Sequence, residues 1–240
     1  MMQHTTCVIQ LASPATNSMF QKIVVSALIA GFGAGLMAAL LQFVFVQPLL
    51  LHAELFEIDP STSLDLVTIQ RGPFDVVREG FNLIFSALVY TGYGFIMLAI
   101  MVWTEERGET ISVRAGLVWG VAGFVTMHMA PAFGLAPDMP GLNGADVEAR
   151  QIWWFMTAAC TGIAIWLFAF GQNWALWGSA IALLAAPHLI GAPLPDTLTQ
   201  VAPPELAASF AARTLGVALA VWVTLGLLLG AVWRNTLKEA

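Results

Sequence analysis

The stretch QIWWFMTAACTGIAIWLFAFGQNWALWGSAIALLAAPHLIGAPLP, residues 151–195, contains no Asp, Glu, Lys or Arg. About 20 apolar residues carry a helix across a bilayer, so a run of this length holds two crossings if it turns in the middle. A turn is legible at Gly171, Gln172 and Asn173, where a permissive glycine is followed by an asparagine able to bond nearby backbone. The stretch then divides into helices over 151–170 and 174–190. The second is short and contains Pro187, which predicts a spanning or nearly spanning helix with a broken end.

Four more charge-free runs lie outside this stretch: Ile23 to Ala53, Gly80 to Thr104, Ala115 to Pro137 and Thr214 to Trp233. Each has room for one crossing. The whole chain is 58% hydrophobic and 10% charged, with a mean hydropathy of +0.79. A soluble domain carries roughly a quarter charged residues, so a water-soluble globule is excluded. The expectation is an all-α integral membrane protein, a six-helix transmembrane bundle, or five if the short segment does not span. The expected helices cover 20–51, 81–103, 112–133, 151–170, 174–190 and 206–233, within one transmembrane domain over 19–240.

Residues 1–18 carry no Lys or Arg, and CVIQLA is too brief for the apolar core of a secretory leader. They read as a disordered extension ahead of MFQKIVV, which starts at Met19. Cys7 in the extension and Cys160 in mid-helix make no plausible bridge.

With six crossings both termini share a side, which carries Lys22, Arg107, Arg114, Arg234 and Lys238 against Arg71, Arg78, Arg150 and Arg213 opposite. The positive-inside rule then places both termini in the cytoplasm of a bacterial inner membrane. Eleven of the 15 acidic residues fall on the opposite, outer face, where they would concentrate cations. No nucleic-acid partner is expected.

The outward-running helices end near His52, His128 and His188, and the returning ones begin near Arg78, Arg150 and Arg213. This reads as three helical hairpins in parallel orientation, a weak internal repeat. Small residues recur four apart at Ala27, Gly31, Gly35 and Ala39, at Gly116 and Gly120, at Ala158 and Gly162, and at Gly226 and Gly230. Such rows let helix backbones approach closely where lipid offers no hydrophobic drive for association.

The histidines carry the chemistry. Carbonyls left open at a helix end favour a cation, and a neighbouring proline frees more of them. His128 lies between Met127 and Met129, which sets imidazole beside thioether, a donor set suited to cobalt, nickel, copper or zinc. Methionine also serves as a gap-filler, and a lone histidine near the interface often bonds only a carbonyl or water. The candidate metal-contacting residues are His128, His188, His52, Met127, Met129, Glu54 and Asp138. Glu54 follows His52, and Asp138 belongs to an acidic Pro-Asp pair repeated at Pro195-Asp196; both also fit a solvated loop. Trp153 and Trp154 fit an interfacial aromatic belt. No phosphate-binding loop, nucleophile arrangement, CxxC or HExxH is present, so the chain is not expected to be an enzyme or to hydrolyse ATP by itself.

At these residues the sequence resembles the CbtA family of proposed cobalt transporter subunits. The resemblance rests on MFQKIVVSALIAGFGAGLMAALLQFVFVQPLLLHAELFE, HMAPAFGLAPDMPG, ARQIWW at 149–154 and PHLIGAP at 187–193. It implies a membrane permease subunit importing cobalt for cobalamin synthesis, with a small single-span CbtB partner bearing a histidine-rich tail. The transported ion is substrate, and no resident cofactor is expected; a homo-oligomer is open. Two alternatives stand beside this reading. One is a haem-binding or redox membrane protein with His128 and His188 as ligands, and the other an accessory subunit without its own transport path.

Overall fold

The computed structural model describes residues 14–58, 74–139, 144–195 and 202–238. The first 13 residues of the expected extension, the loop acids Asp59, Asp65 and Asp196, and Arg71 lie outside the described residues. Six helices make up the rest. The first joins Pro14–Leu41, a π-helical turn Gln42–Val46 and Gln47–Ile58, so Pro14 to Ser18 continue it rather than precede it. The second is Val76–Glu105; the third joins Val113–Phe124, a π-helical turn Val125–Met129 and Ala130–Ala132. The fourth is Val147–Phe170, the fifth Trp174–Ile190 and the sixth Pro204–Lys238.

Four helix starts are fixed by side chains that accept backbone N–H groups left open in a first turn. Asp75 accepts from Val77 and Arg78, which starts the second helix at Val76 rather than near residue 81. Ser112 accepts from Ala115, Asp146 from Ala149 and Asn173 from Leu176. The turn read at 171–173 is therefore a stop and a start: Gly171 closes the fourth helix, Asn173 opens the fifth, and the Trp177 indole donates to the Gly171 carbonyl.

Among the described residues five of the six helices are long and apolar enough to cross a membrane, and the remaining one, the fifth in chain order, is shorter at 17 residues. At 1.5 Å per residue it measures about 25 Å, just under a hydrocarbon core of about 30 Å. Helix direction follows from paired contacts. Gly31 meets Thr91 while Gly35 meets Ala87, so the first two helices are antiparallel. Gly116 meets Gly226 while Gly120 meets Trp222, which sets the third helix antiparallel to the sixth. Gly134 lies against Trp153 and Gly162 against Thr126, so the third and fourth are antiparallel too.

The fifth helix carries the chain back along the fourth, with the Trp153 indole donating to the Pro187 carbonyl at 3.1 Å. Chain direction thus alternates as three hairpins require, but hairpin partners are not always the closest neighbours. The third helix packs most extensively against the sixth, and the fifth packs against the fourth. The reason is steric. Glycines at 116, 120, 226 and 230 let the third and sixth backbones approach, whereas a Cβ at Gly162 makes only ordinary contact with Thr126 at 3.4 Å.

One apolar cluster joins Ala27, Ala30, Ala34 and Ala38 of the first helix to Leu98, Met101, Leu225, Leu229 and Trp233. A smaller one, at the end away from the termini, joins Leu49, Ala53 and Phe56 to Leu206, Phe210 and Met139. Trp174, 84% exposed, and Leu189, also 84%, mark the fifth helix as an outlying element facing lipid.

Candidate functional site

Prolines build the irregular backbone at the histidine-bearing ends. Pro48 and Pro131 cannot donate, and their rings press on the carbonyls four residues earlier, at Val44 and Met127. In both helices the residue before proline bonds five residues back: Gln47 N–H to the Gln42 carbonyl, and Ala130 N–H to the Val125 carbonyl. Each π-helical turn thus absorbs one extra residue where proline disturbs the ladder. In the fifth helix Pro187 is held without such a turn, and Gly191 at φ 87°, four residues later, ends the helix.

The three histidines do not converge. Among the described residues no group of three His, Cys, Asp or Glu side chains is placed to hold an ion. His52 stands edge-on to Phe56 at 5.5 Å, and its Nε2 is buried without a hydrogen-bond partner. Its neighbours Ala53 and Phe56 share a cluster with Met139, so the thioether of the loop after the third helix packs against the first helix. Glu54 is exposed on the same helix. Asp138 ion-pairs with Arg150, which makes it a clasp between the third-helix loop and the start of the fourth helix.

His128 lies within the π-helical turn, stacked on Phe124 at 6.2 Å, and its Nδ1 accepts from the Trp222 indole N–H at 3.1 Å. An indole nitrogen only donates, so Nδ1 presents its lone pair to it and neutral imidazole carries its proton on Nε2. Neither nitrogen then offers a free lone pair to a metal or haem iron. Met127, its neighbour, packs against the main apolar cluster. In this geometry the pair ties the third helix to the sixth.

Trp222→Phe removes the donor and keeps the bulk, so a double-mutant cycle with His128→Ala should give a coupling of about 1 kcal/mol, read from unfolding in mixed detergent. Strictly additive effects would dispose of the bond.

His188 is different. It is exposed on the last turn of the fifth helix, edge-on to Trp153 at 5.8 Å and to Phe133 at 6.2 Å. It lines a recess of about 470 Å³ with Val125, Met129, Ala130, Phe133, Thr161 and Leu184. The recess lies between the interrupted third helix and the fourth–fifth pair. It brings together two of the residues singled out from sequence, an imidazole and a thioether, with the Thr161 residue as a third, hydroxyl-bearing wall. The soft and borderline donors suit a late first-row divalent ion.

Sequence reasoning missed Trp222, Thr161 and the paired π-helical turns. Pro48 and Pro131 inside charge-free runs were the available signal for the turns. Nothing local marks Trp222 or Thr161, whose roles arise from packing between separate helices.

Apolar helices with polar donors gathered at helix interruptions define a multi-pass membrane protein. The chain belongs to the CbtA family, whose model, described as a probable cobalt transporter subunit, matches residues 20–234. No curated protein and no solved structure matches it. The family description makes the chain one subunit of a transporter.

Proposed function

We propose that the chain is the permease subunit for a divalent transition metal, cobalt(II) destined for cobalamin synthesis, in a bacterial cytoplasmic membrane. The observation that carries a path through this chain, rather than an accessory role, is the recess shared by His188 and Met129 beside the interrupted third helix. His188 exchanges part of the ion's hydration shell for imidazole nitrogen, and Met129 adds a polarisable sulfur that favours a late transition metal over magnesium or calcium.

His52, with its unpartnered buried nitrogen, and Glu54, exposed two residues on and so on another face of the same helix, are separate polar groups outside the recess. Asp138, held by Arg150, shapes the loop between the third and fourth helices. The termini face the cytoplasm in this reading. Arg107 over the Trp103 ring at 3.5 Å, at the end shared with the termini, supports it as an aromatic and basic interfacial anchor. The second subunit is a small single-span protein of the CbtB type whose histidine-rich tail collects metal; the four histidines of this chain form no such tail.

The test is reconstitution. Vesicles holding both subunits and an internal cobalt-quenched dye should show saturable quenching on addition of cobalt chloride. Equal influx from vesicles holding only the small subunit would falsify the permease role and leave this chain as an accessory.

A further inference from the structure

The end of the bundle opposite the termini holds three described arginines, and they are not alike. Arg78 pairs with Glu79 at 3.3 Å, and Arg150 pairs with Asp138. Arg213, on the sixth helix, has no carboxylate partner among the described residues; its Nη1 donates to the Phe45 carbonyl in the first helix's π-helical turn at 3.4 Å. A guanidinium has five N–H donors, so one long bond to a neutral carbonyl leaves most of its donors and all of its charge unmatched. Arg213 also marks the edge of the charge-free run that begins at Thr214, which sets it at the level where a bilayer passes from headgroups to hydrocarbon.

Directly beside it a groove of about 270 Å³ runs between the first and sixth helices, walled by Leu41, Phe45, Gly216, Val217 and Ala220. Apart from the guanidinium at its rim the wall is apolar. A side chain added at Gly216 would meet nothing within 4 Å, so the groove is open there toward the surrounding lipid. A cation above an open apolar slot matches a ligand with an anionic head and a hydrocarbon tail. In a bilayer that ligand is a phospholipid, whose phosphate takes a guanidinium in two-pronged fashion.

We propose that Arg213 and this groove form a binding site for one phospholipid, with the phosphate on the guanidinium and an acyl chain along the groove. Among the described arginines of this face the charge complementarity is specific to Arg213, because Arg78 and Arg150 already hold carboxylates. The site also touches the π-helical turn: a phosphate that draws the guanidinium away from Phe45 releases that carbonyl.

Native mass spectrometry of the purified full chain, titrated with phosphatidylglycerol in detergent, tests this. Wild type should retain one lipid preferentially. Arg213→Gln should weaken retention roughly tenfold, the loss of one charge-assisted contact. Arg213→Lys should recover part of it, and Gly216→Leu, which adds a side chain at the open edge of the groove and spares the charge, should weaken it as well. Undiminished retention in both Arg213→Gln and Gly216→Leu overturns the proposal. So does displacement of the lipid by millimolar inorganic phosphate, because that outcome assigns Arg213 to a free anion.

Discussion

Replacing His188 by alanine is expected to lower the initial rate of cobalt uptake at least about tenfold, while the purified protein keeps its monodisperse elution. The magnitude follows from metal sites in which loss of a mere outer-shell partner already costs about 10- to 100-fold, so loss of a contacting donor costs no less. The structural side is small because His188 is exposed at a helix end and contributes only edge-on contacts to Trp153 and Phe133.

Met129→Leu preserves volume and removes the sulfur, and should lower uptake by a smaller factor, about threefold, while narrowing the preference for cobalt over magnesium. His128→Ala should show the reverse balance, with a larger loss of stability than His188→Ala, because its ring is stacked on Phe124 and bonded to Trp222. Normal uptake by His188→Ala in vesicles that also hold the partner removes the recess from the path. A loss in His128→Ala accompanied by full stability would restore His128 as a metal contact.

The contrast between these histidines shows what a single sequence discloses. Charge-free runs located every helix, because excluding charge from lipid is a local requirement written into each segment. The stop and start around Gly171 and Asn173 was readable for the same reason, since a cap involves residues within one turn. His128 and His188 looked equivalent by position, yet a partner 94 residues away engages one and leaves the other open. Spacing reports which face of its own helix a residue occupies, and is silent about which helix that face meets. The same limit hid the neighbour relations: sequence order pairs the third helix with the fourth, whereas glycine placement brings it against the sixth. Met139 is a further instance, close to His128 in sequence and packed instead against Ala53 and Phe56.

Gly226→Leu, and equally Gly116→Leu, should yield no monodisperse protein at all. A Cβ at Gly226 would drive into the Gly116 carbonyl and approach the Gly120 nitrogen, and one at Gly116 would drive into the Gly226 carbonyl. These are backbone atoms of helices with no free space, so relief requires the third and sixth helices to part. Parting them strips Phe124 and Trp222 from the main cluster and breaks the indole bond to His128, a cost of about 3 kcal/mol or more for overpacking alone. In lipid no hydrophobic drive restores the contact, since the separated faces are as comfortable against acyl chains as against each other. Gly178→Leu supplies the control: nothing lies within 4 Å of a side chain added there, on the lipid-facing fifth helix. It should elute and melt like wild type. Equal damage from both substitutions would mean that leucine is rejected for its effect on the helix itself, and that the close crossing of the third and sixth helices does not hold the bundle together.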